Sequence, residues 1–213
     1  MGTLTIATFM TLDGVMQAPG GPDEDRDGGF AHGGWSFPYF SEDMGEVISD
    51  AFAKAQAFLL GRQTYEIFAA SWPNYPDKDD PVASRLNTLP KYVVSTTLER
   101  ADWEATTILR GDVTAEVAKL KDAYPGEIQV HGSARLAQTL HAAGLIDEYR
   151  LFIEPVVLGT GKRLFEPGSA PAALRLVESR SMGKGTVLAI YQLGGTPAYG
   201  EFRMEKGFGL PTT

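Results

Sequence analysis

Twice in this chain an apolar run of strand length breaks at a small residue and passes directly into a helix start. The first break leads from Ala57-Phe58-Leu59-Leu60 into Gly61-Arg62-Gln63-Thr64; the second leads from Ile128-Gln129-Val130 into His131-Gly132-Ser133-Ala134-Arg135. A buried strand feeding a helix is the unit of a parallel sheet, because the helix carries the chain back to begin the next parallel strand. The junctions are also chemically open. The first N–H groups of a helix lack intrahelical partners and favour an anion, and small residues let a phosphate come close. Two such junctions on neighbouring parallel strands would clamp the pyrophosphate of a dinucleotide, with Arg62 and Arg135 available for further phosphate contacts. Either one alone reads equally as a tight turn with a surface arginine. Neither spells G-x-G-x-x-G, and Gly159-Thr160-Gly161-Lys162 lacks the earlier glycine and the following hydroxyl residue of a P-loop.

The rest of the chain fits around these junctions. Leu4, Ile6, Thr8, Met10 and Leu12 alternate with other positions and predict a first strand, closed by a turn at Asp13-Gly14. Residues 18–40 predict a long glycine-rich flap, acidic at Asp23, Glu24, Asp25 and Asp27, then aromatic at Phe30, Trp35, Phe37, Tyr39 and Phe40. The expectation is that this flap is mobile, closes over a bound ligand and turns its four carboxylates to solvent. Ser41 is the expected N-cap of a helix carrying Val47, Ile48, Ala51, Phe52 and Ala55, with Glu42 and Asp43 in its first turn. A short helix is expected around Thr64–Phe68, a strand at 92–94, a helix capped by Thr114 through Lys121, and a helix from Ser133 to Ala143 stopped by Gly144. A strand from Tyr149 to Val157 follows, then a hairpin of 174–178 and 186–193 across Gly183-Lys184-Gly185. The pattern predicts a three-layer α/β fold with a mostly parallel central sheet and a C-terminal antiparallel hairpin. Residues 1–195 read as the domain and 196–213 as a loose tail or edge strand.

Composition removes several function classes. With no cysteine there is no disulfide, thiolate metal site or cysteine nucleophile. His32, His131 and His141 are scattered, which argues against a metal centre. A net charge of −8 argues against nucleic acid and anionic membrane as partners. No membrane-length apolar run or signal peptide is legible, so the expected location is the cytoplasm.

Taken in order, several segments carry a family resemblance. They are Met10-Thr11-Leu12-Asp13-Gly14, Gly33-Gly34-Trp35, Leu59 through Glu66, Tyr92-Val93-Val94-Ser95-Thr96, Val130-His131-Gly132-Ser133-Ala134, and Gly144 through Glu148 leading to Pro155-Val156-Val157-Leu158-Gly159-Thr160-Gly161. On these the chain resembles the dihydrofolate-reductase-like superfamily, in the branch of the riboflavin-biosynthesis reductase domain and its stand-alone relatives. The resemblance spans roughly residues 3–193. It implies an NADPH-dependent reductase, with Gly61, Arg62, Gln63 and Thr64 at one end of the cofactor and Gly132, Ser133, Ala134 and Arg135 at the other. It places Arg62, Ser95 and Thr96 by the adenosine 2′-phosphate, and Ala7 with the Asp13-Gly14 turn beside the nicotinamide.

The chain departs from its folate-reducing relatives where they carry a carboxylate early in the first long helix. The matching position is Gly45, flanked by Asp43 and Glu46, so dihydrofolate is expected to be a poor substrate. Asp13, Asp43 and Glu46 are the candidate proton donors. Asp13 reads also as a turn cap, and Trp35, Phe37 and Tyr39 read either as the anchor of the flap or as a stacking wall for a flat substrate. The expected reaction is hydride transfer to a small heteroaromatic (pterin-like or pyrimidine-like) or carbonyl compound. The alternatives are a riboflavin-pathway 5-amino-6-(5-phosphoribosylamino)uracil reductase and an NADPH-binding sensor or assembly subunit without turnover. A small-molecule substrate and a second copy of the chain are the expected partners.

Overall fold

Burial on both faces of the central strands is what the fold is built on. In the computed structural model, which describes residues 1–201, strand β1 (Thr3–Thr11) lies between two parallel neighbours, β5 (Glu127–His131) and β6 (Glu148–Glu154). Next to β5 runs β2 (Ala55–Gly61), then β3 (Lys91–Val94) and β4 (Thr106–Leu109), all parallel. On the other side β8 (Val187–Gly195) pairs antiparallel with β6, and β7 (Ala173–Ser181) with β8. The eight strands follow the order β4-β3-β2-β5-β1-β6-β8-β7, the mostly parallel sheet with an antiparallel end that the sequence predicts.

Helices cover both faces. Leu4, Ile6, Leu59, Ile128 and Val130 pack beneath α4 (Val113–Ala123) and α5 (Ala134–Ala142), against Val117, Leu136, Ala137 and Leu140. On the opposite face Phe58, Leu60 and Val93 meet Phe52 of α1 (Glu42–Lys54), Tyr65 of α2 (Arg62–Ser71) and Leu86 of α3 (Pro81–Thr88). Consecutive residues Phe58, Leu59 and Leu60 are each fully buried. That continuous burial separates a covered parallel strand from a half-exposed one, and each such side chain contributes roughly 1.5–3 kcal/mol. Among the described residues no helix is long and apolar enough to cross a membrane.

Several boundaries differ from the sequence reading for local reasons. The carboxylate of Asp112, rather than Thr114, caps α4, accepting the N–H groups of Thr114 and Ala115. Asp80 caps α3 in the same way, with Pro81 in the first turn; neither this helix nor β4 was predicted. α2 begins at Arg62, without the gap before Thr64. β6 stops at Glu154 instead of Val157, because Pro155 has no N–H to continue the ladder. The hairpin strand β7 is longer than the predicted 174–178. His141 is not a free surface residue: its ring nitrogens reach Tyr149 Oη at 2.6 Å and the Ala170 carbonyl at 2.7 Å. Of the predicted tail, residues 196–201 carry no helix or strand and the remainder lies outside the described residues.

Candidate active site

The two junctions sit side by side, because β2 and β5 are neighbours in register, with Leu59 opposite Val130. Their turns are bonded together. The Gly61 N–H donates to Ser133 Oγ at 2.9 Å, Ser133 Oγ lies 2.9 Å from Thr64 Oγ1, and the Ser133 N–H donates to Thr64 Oγ1 at 3.1 Å. To make this contact the chain passes through two successive left-handed residues, Gly132 (φ 54°) and Ser133 (φ 59°). A Cβ on Gly132 would stand 3.2 Å from Thr64 Oγ1, so the glycine serves both the backbone turn and the close approach.

Both junctions open onto one cavity of about 720 Å³, a size usual for small-molecule sites. Gly61, Arg62, Gln63 and Thr64 line it from one side; Gly132, Ser133, Ala134 and Arg135 line it from the other; Ala7, Thr8 and Phe9 of β1 form its floor. α3 and α4 have carboxylate caps, and in α1 Asp43 Oδ1 accepts the Met44 N–H. The two helices that face the cavity, α2 and α5, start with no side-chain cap. Their first-turn N–H groups are therefore available to an anion, and the residues present fit a dinucleotide phosphate.

The flap forms the third wall, and packing and hydrogen bonds tie it to the rest of the fold. Trp35 is buried with Val15, Ala18 and Phe30, and its indole N–H donates to the Gln17 carbonyl at 2.7 Å. Trp35 is thus the anchor, and it does not line the cavity; Tyr39 is half-buried away from it as well, while Phe37 and Phe40 line it. The expectation of four solvent-facing carboxylates holds for Asp23 and Asp27, which are exposed, and is corrected for Glu24 and Asp25, which are half-buried. Asp23 does pair with Arg26 at the surface, but Glu24 accepts the N–H groups of Gly20 and Gly21, and Asp25 and Asp27 both bind the ammonium of Lys162 at 2.8 and 2.9 Å. Burial opposes the ionisation of Asp25, yet Lys162 holds its carboxyl below the ordinary range. Lys162 Nζ also lies 3.1 Å from Gln63 Oε1, so it ties the flap to the start of α2.

The three acids proposed from sequence do not line the cavity. Asp13 accepts from the Thr11 hydroxyl, the Leu158 and Gly159 N–H groups and Arg163, and these partners, Thr11 first, hold its carboxyl far below the usual range. Gly14 (φ 83°) turns the chain beside Arg163 and is likewise away from the cavity. Asp43 is bound to the Ser41 hydroxyl and the Gly183 N–H, which lower its pKa, and Glu46 is exposed. Ser95 uses its hydroxyl to accept the N–H groups of Thr97 and Leu98, and Thr96 is exposed; neither lines the cavity.

Arg110 and Glu154 were missed, and His131 was read only as part of the second junction. Arg110 donates to the carbonyls of Thr96 and Leu98, putting a base beside that turn. His131 lines the cavity, stacks on Phe52 at 4.7 Å and is pushed down to about pKa 3 by burial and then by Arg150, so it is neutral. Glu154, fully buried at the end of β6, accepts the Ser36 hydroxyl at 2.6 Å, and burial pushes its pKa up to about 7 against that hydrogen bond. An acidic residue before Pro155 at a strand end gave no sequence signal for this, since its burial depends on the distant flap.

The whole arrangement has counterparts. Residues 2–188 match the family model of the RibD C-terminal domain. The uncharacterized protein YyaP of Bacillus subtilis (strain 168) is 30% identical over 188 residues, covering 87% of this chain and 92% of its own. YwjB of the same organism, also uncharacterized, is 28% identical over 165 residues, covering 76% and 90%. Among solved structures, a putative riboflavin biosynthesis protein from Shewanella sp. PV-4 superposes with a TM-score of 0.68 at 18% identity, over 90% of this chain and 98% of that one. Dihydrofolate reductase from Enterococcus faecalis, solved with NADP(H), superposes with a TM-score of 0.58 at 12% identity, over 90% and 96%. These structures share the dihydrofolate-reductase-like fold, and by its sequence the chain belongs to the RibD C-terminal domain family.

Proposed function

We propose that the protein is an NADPH-dependent reductase that passes hydride to a small, flat, electron-poor substrate held beneath the flap. The observation that carries this reading is the pair of bonded, uncapped helix starts opening on one cavity together with β1. The N-termini of α2 and α5 would hold the pyrophosphate, with Arg135 as its base, Arg62 would reach the adenosine 2′-phosphate, and Ala7 would border the nicotinamide. The cofactor, when bound, supplies the hydride. The chain orients the substrate and excludes water. Phe37, 75% exposed, and Phe40, 43% exposed, present apolar rings at the mouth, suited to one face of a heteroaromatic ring or a carbonyl compound. Glu24, Asp25 and Asp27 line the flap side, which disfavours a phosphorylated substrate there and favours a neutral or cationic one.

The test is a fluorescence titration with NADPH, followed by NADPH oxidation with a panel of pterins, quinones, carbonyl compounds and flavin precursors. Saturable binding and oxidation by at least one compound are expected. Absence of NADPH binding would sink the proposal.

A further inference from the structure

We propose that Ser36 and Glu154 form a proton relay into the cavity, in which the Ser36 hydroxyl protonates the substrate and the Glu154 carboxylic acid reprotonates Ser36. The inference rests on the reductase reading and supplies what that reading lacks, a proton donor at the site.

Ser36 is buried, yet it lines the cavity beside Phe37 and Phe40. Its N–H is fixed on the Pro19 carbonyl at 3.2 Å, so its hydroxyl is positioned by the flap backbone. Behind it stands Glu154, whose Oε1 is 2.6 Å from Ser36 Oγ and whose Oε2 is buried with no hydrogen-bond partner among the described residues. The β6–β8 ladder ends one residue before Glu154, at Ile153 and Val187, and Thr186, which precedes Val187, also has a buried Oγ1 without a partner among the described residues. An ionised carboxylate with one bare oxygen in such a place is costly, whereas the neutral acid is tolerated and has a proton to give.

The surrounding charges are committed elsewhere. Asp13, near the register partner Thr11, is bound to backbone N–H groups and Arg163. Asp43 of α1 is bound to Ser41 and Gly183. On the flap Glu24 is held by Gly20 and Gly21, Asp25 and Asp27 are held by Lys162, and His32 is exposed against Phe30. Lys184 of the 183–185 turn is exposed. Burial and the Ser36 hydrogen bond are the influences on Glu154, and their balance sets its pKa at about 7.

The step balances as follows. A neutral Glu154 donates to Ser36 Oγ, leaving the Ser36 hydrogen free to point into the cavity. When the substrate is reduced, the Ser36 O–H bond breaks and a bond from that hydrogen to the substrate heteroatom forms; a bound dihydronicotinamide would supply the hydride, with its two electrons, to the electron-poor carbon. The Glu154 O–H breaks as Ser36 O–H re-forms, leaving a carboxylate that accepts from Ser36. Solvent returns one proton to Glu154 before the next turnover.

Two measurements test this. Infrared spectra of the free protein should show, at pH 6, a protonated-acid carbonyl stretch that is missing in Glu154→Gln, displaced in Ser36→Ala and lost as pH rises through about 7. Stopped-flow oxidation of NADPH by the fastest compound of the panel should slow roughly hundredfold in Glu154→Gln at pH 6, within the range for a lost general acid, with NADPH affinity unchanged. The decline in rate above pH 7 should vanish in that variant, and Glu154→Asp should recover part of the rate. If Glu154→Gln does not fold, Ser36→Ala should show the same loss. An ionised Glu154 at pH 6, or a wild-type rate in either variant, overturns the relay while leaving NADPH binding intact. A wild-type protein that binds no NADPH, or oxidises it with no compound, overturns the reductase reading instead, and the infrared spectrum still decides the state of Glu154.

Discussion

The hydroxyls of Thr64 and Ser133 lie 2.9 Å apart, although 69 positions separate them in the chain and each stands at the start of a different helix. Thr64 Oγ1 also accepts the Ser133 N–H, and the Gly61 N–H is satisfied by Ser133 Oγ. Four polar groups at the head of the cavity thus depend on two small side chains. These bonds fix the separation of the two helix starts, which in the proposed reading act as one anion-binding platform.

Thr64→Val keeps the shape and removes the shared oxygen. It should lower stability by about 1–3 kcal/mol, since the Ser133 N–H loses its partner, and should weaken NADPH binding as the α5 start shifts. Thr64→Ser should restore both. Urea melts and cofactor titrations check this, and full-strength NADPH binding by Thr64→Val would show the two starts to be independent.

Cofactor preference should follow the bases rather than the hydroxyls. Ser95 spends its hydroxyl on Thr97 and Leu98, so Ser95→Ala should leave the ratio of NADPH to NADH affinity unchanged. Arg62→Ala and Arg110→Ala should each weaken NADPH about tenfold or more and NADH much less, since a hydrogen bond to a charged group contributes about 1.5–3 kcal/mol. Arg62 has Glu66 as its partner at 3.0 Å, an exposed pair that gives way at little cost. Equal affinity of the wild type for the two cofactors would refute a 2′-phosphate site here.

The parts of this molecule legible in the sequence are those fixed by neighbours along the chain. Ala57–Leu60 announces its strand by an unbroken apolar run, Gly61 and Gly132 announce the junctions, and Gly144 ends the last helix before β6. What stayed hidden depends on partners far away in sequence. Asp13 looks like a site acid until Leu158, Gly159 and Arg163 are seen to consume it. Glu154 looks like an ordinary strand-end charge until Ser36, 118 positions away, closes over it. The acidic flap reads as solvent-facing because Arg26 is the one base among its four acids, whereas Lys162 arrives from a separate loop.

Trp35 is a packing residue for the flap, so its loss should first be felt there. Trp35→Ala should free residues 18–40 from the small cluster with Val15, Ala18 and Phe30, costing up to about 3–5 kcal/mol locally. Trypsin should then cut at Arg26 in the variant while the wild type resists without any ligand. Equal protection of the two proteins would show the flap to be held elsewhere.

Lys162→Met removes the cation that Asp25 and Asp27 share and breaks the tie to Gln63. The expected outcome is a looser flap, read as faster hydrogen exchange over residues 24–30, and a pKa of Asp25 that rises because Lys162 no longer opposes its burial. Unchanged exchange would mean that the clasp contributes nothing to order.

Stability itself should depend on pH through Glu154. In the unfolded chain this carboxyl titrates near its ordinary value of 4.5, and in the folded protein near 7. Between those values the native state holds a proton that the unfolded state has released. Stability from this group is therefore complete below about pH 4.5, declines as pH rises through that interval and is gone above about pH 7. The full swing is about 3 kcal/mol for a shift of this size. The paired acids act in the opposite sense: Asp13 and Asp43, whose folded values are depressed, favour the native state above pH 4 and lose that contribution in acid. The contrast with Glu154→Gln isolates the one from the other. Denaturant melts at pH 5 and pH 8 should show the wild type losing more stability than the variant across this interval. The same loss in both proteins would mean that Glu154 carries no proton in the folded state at pH 5.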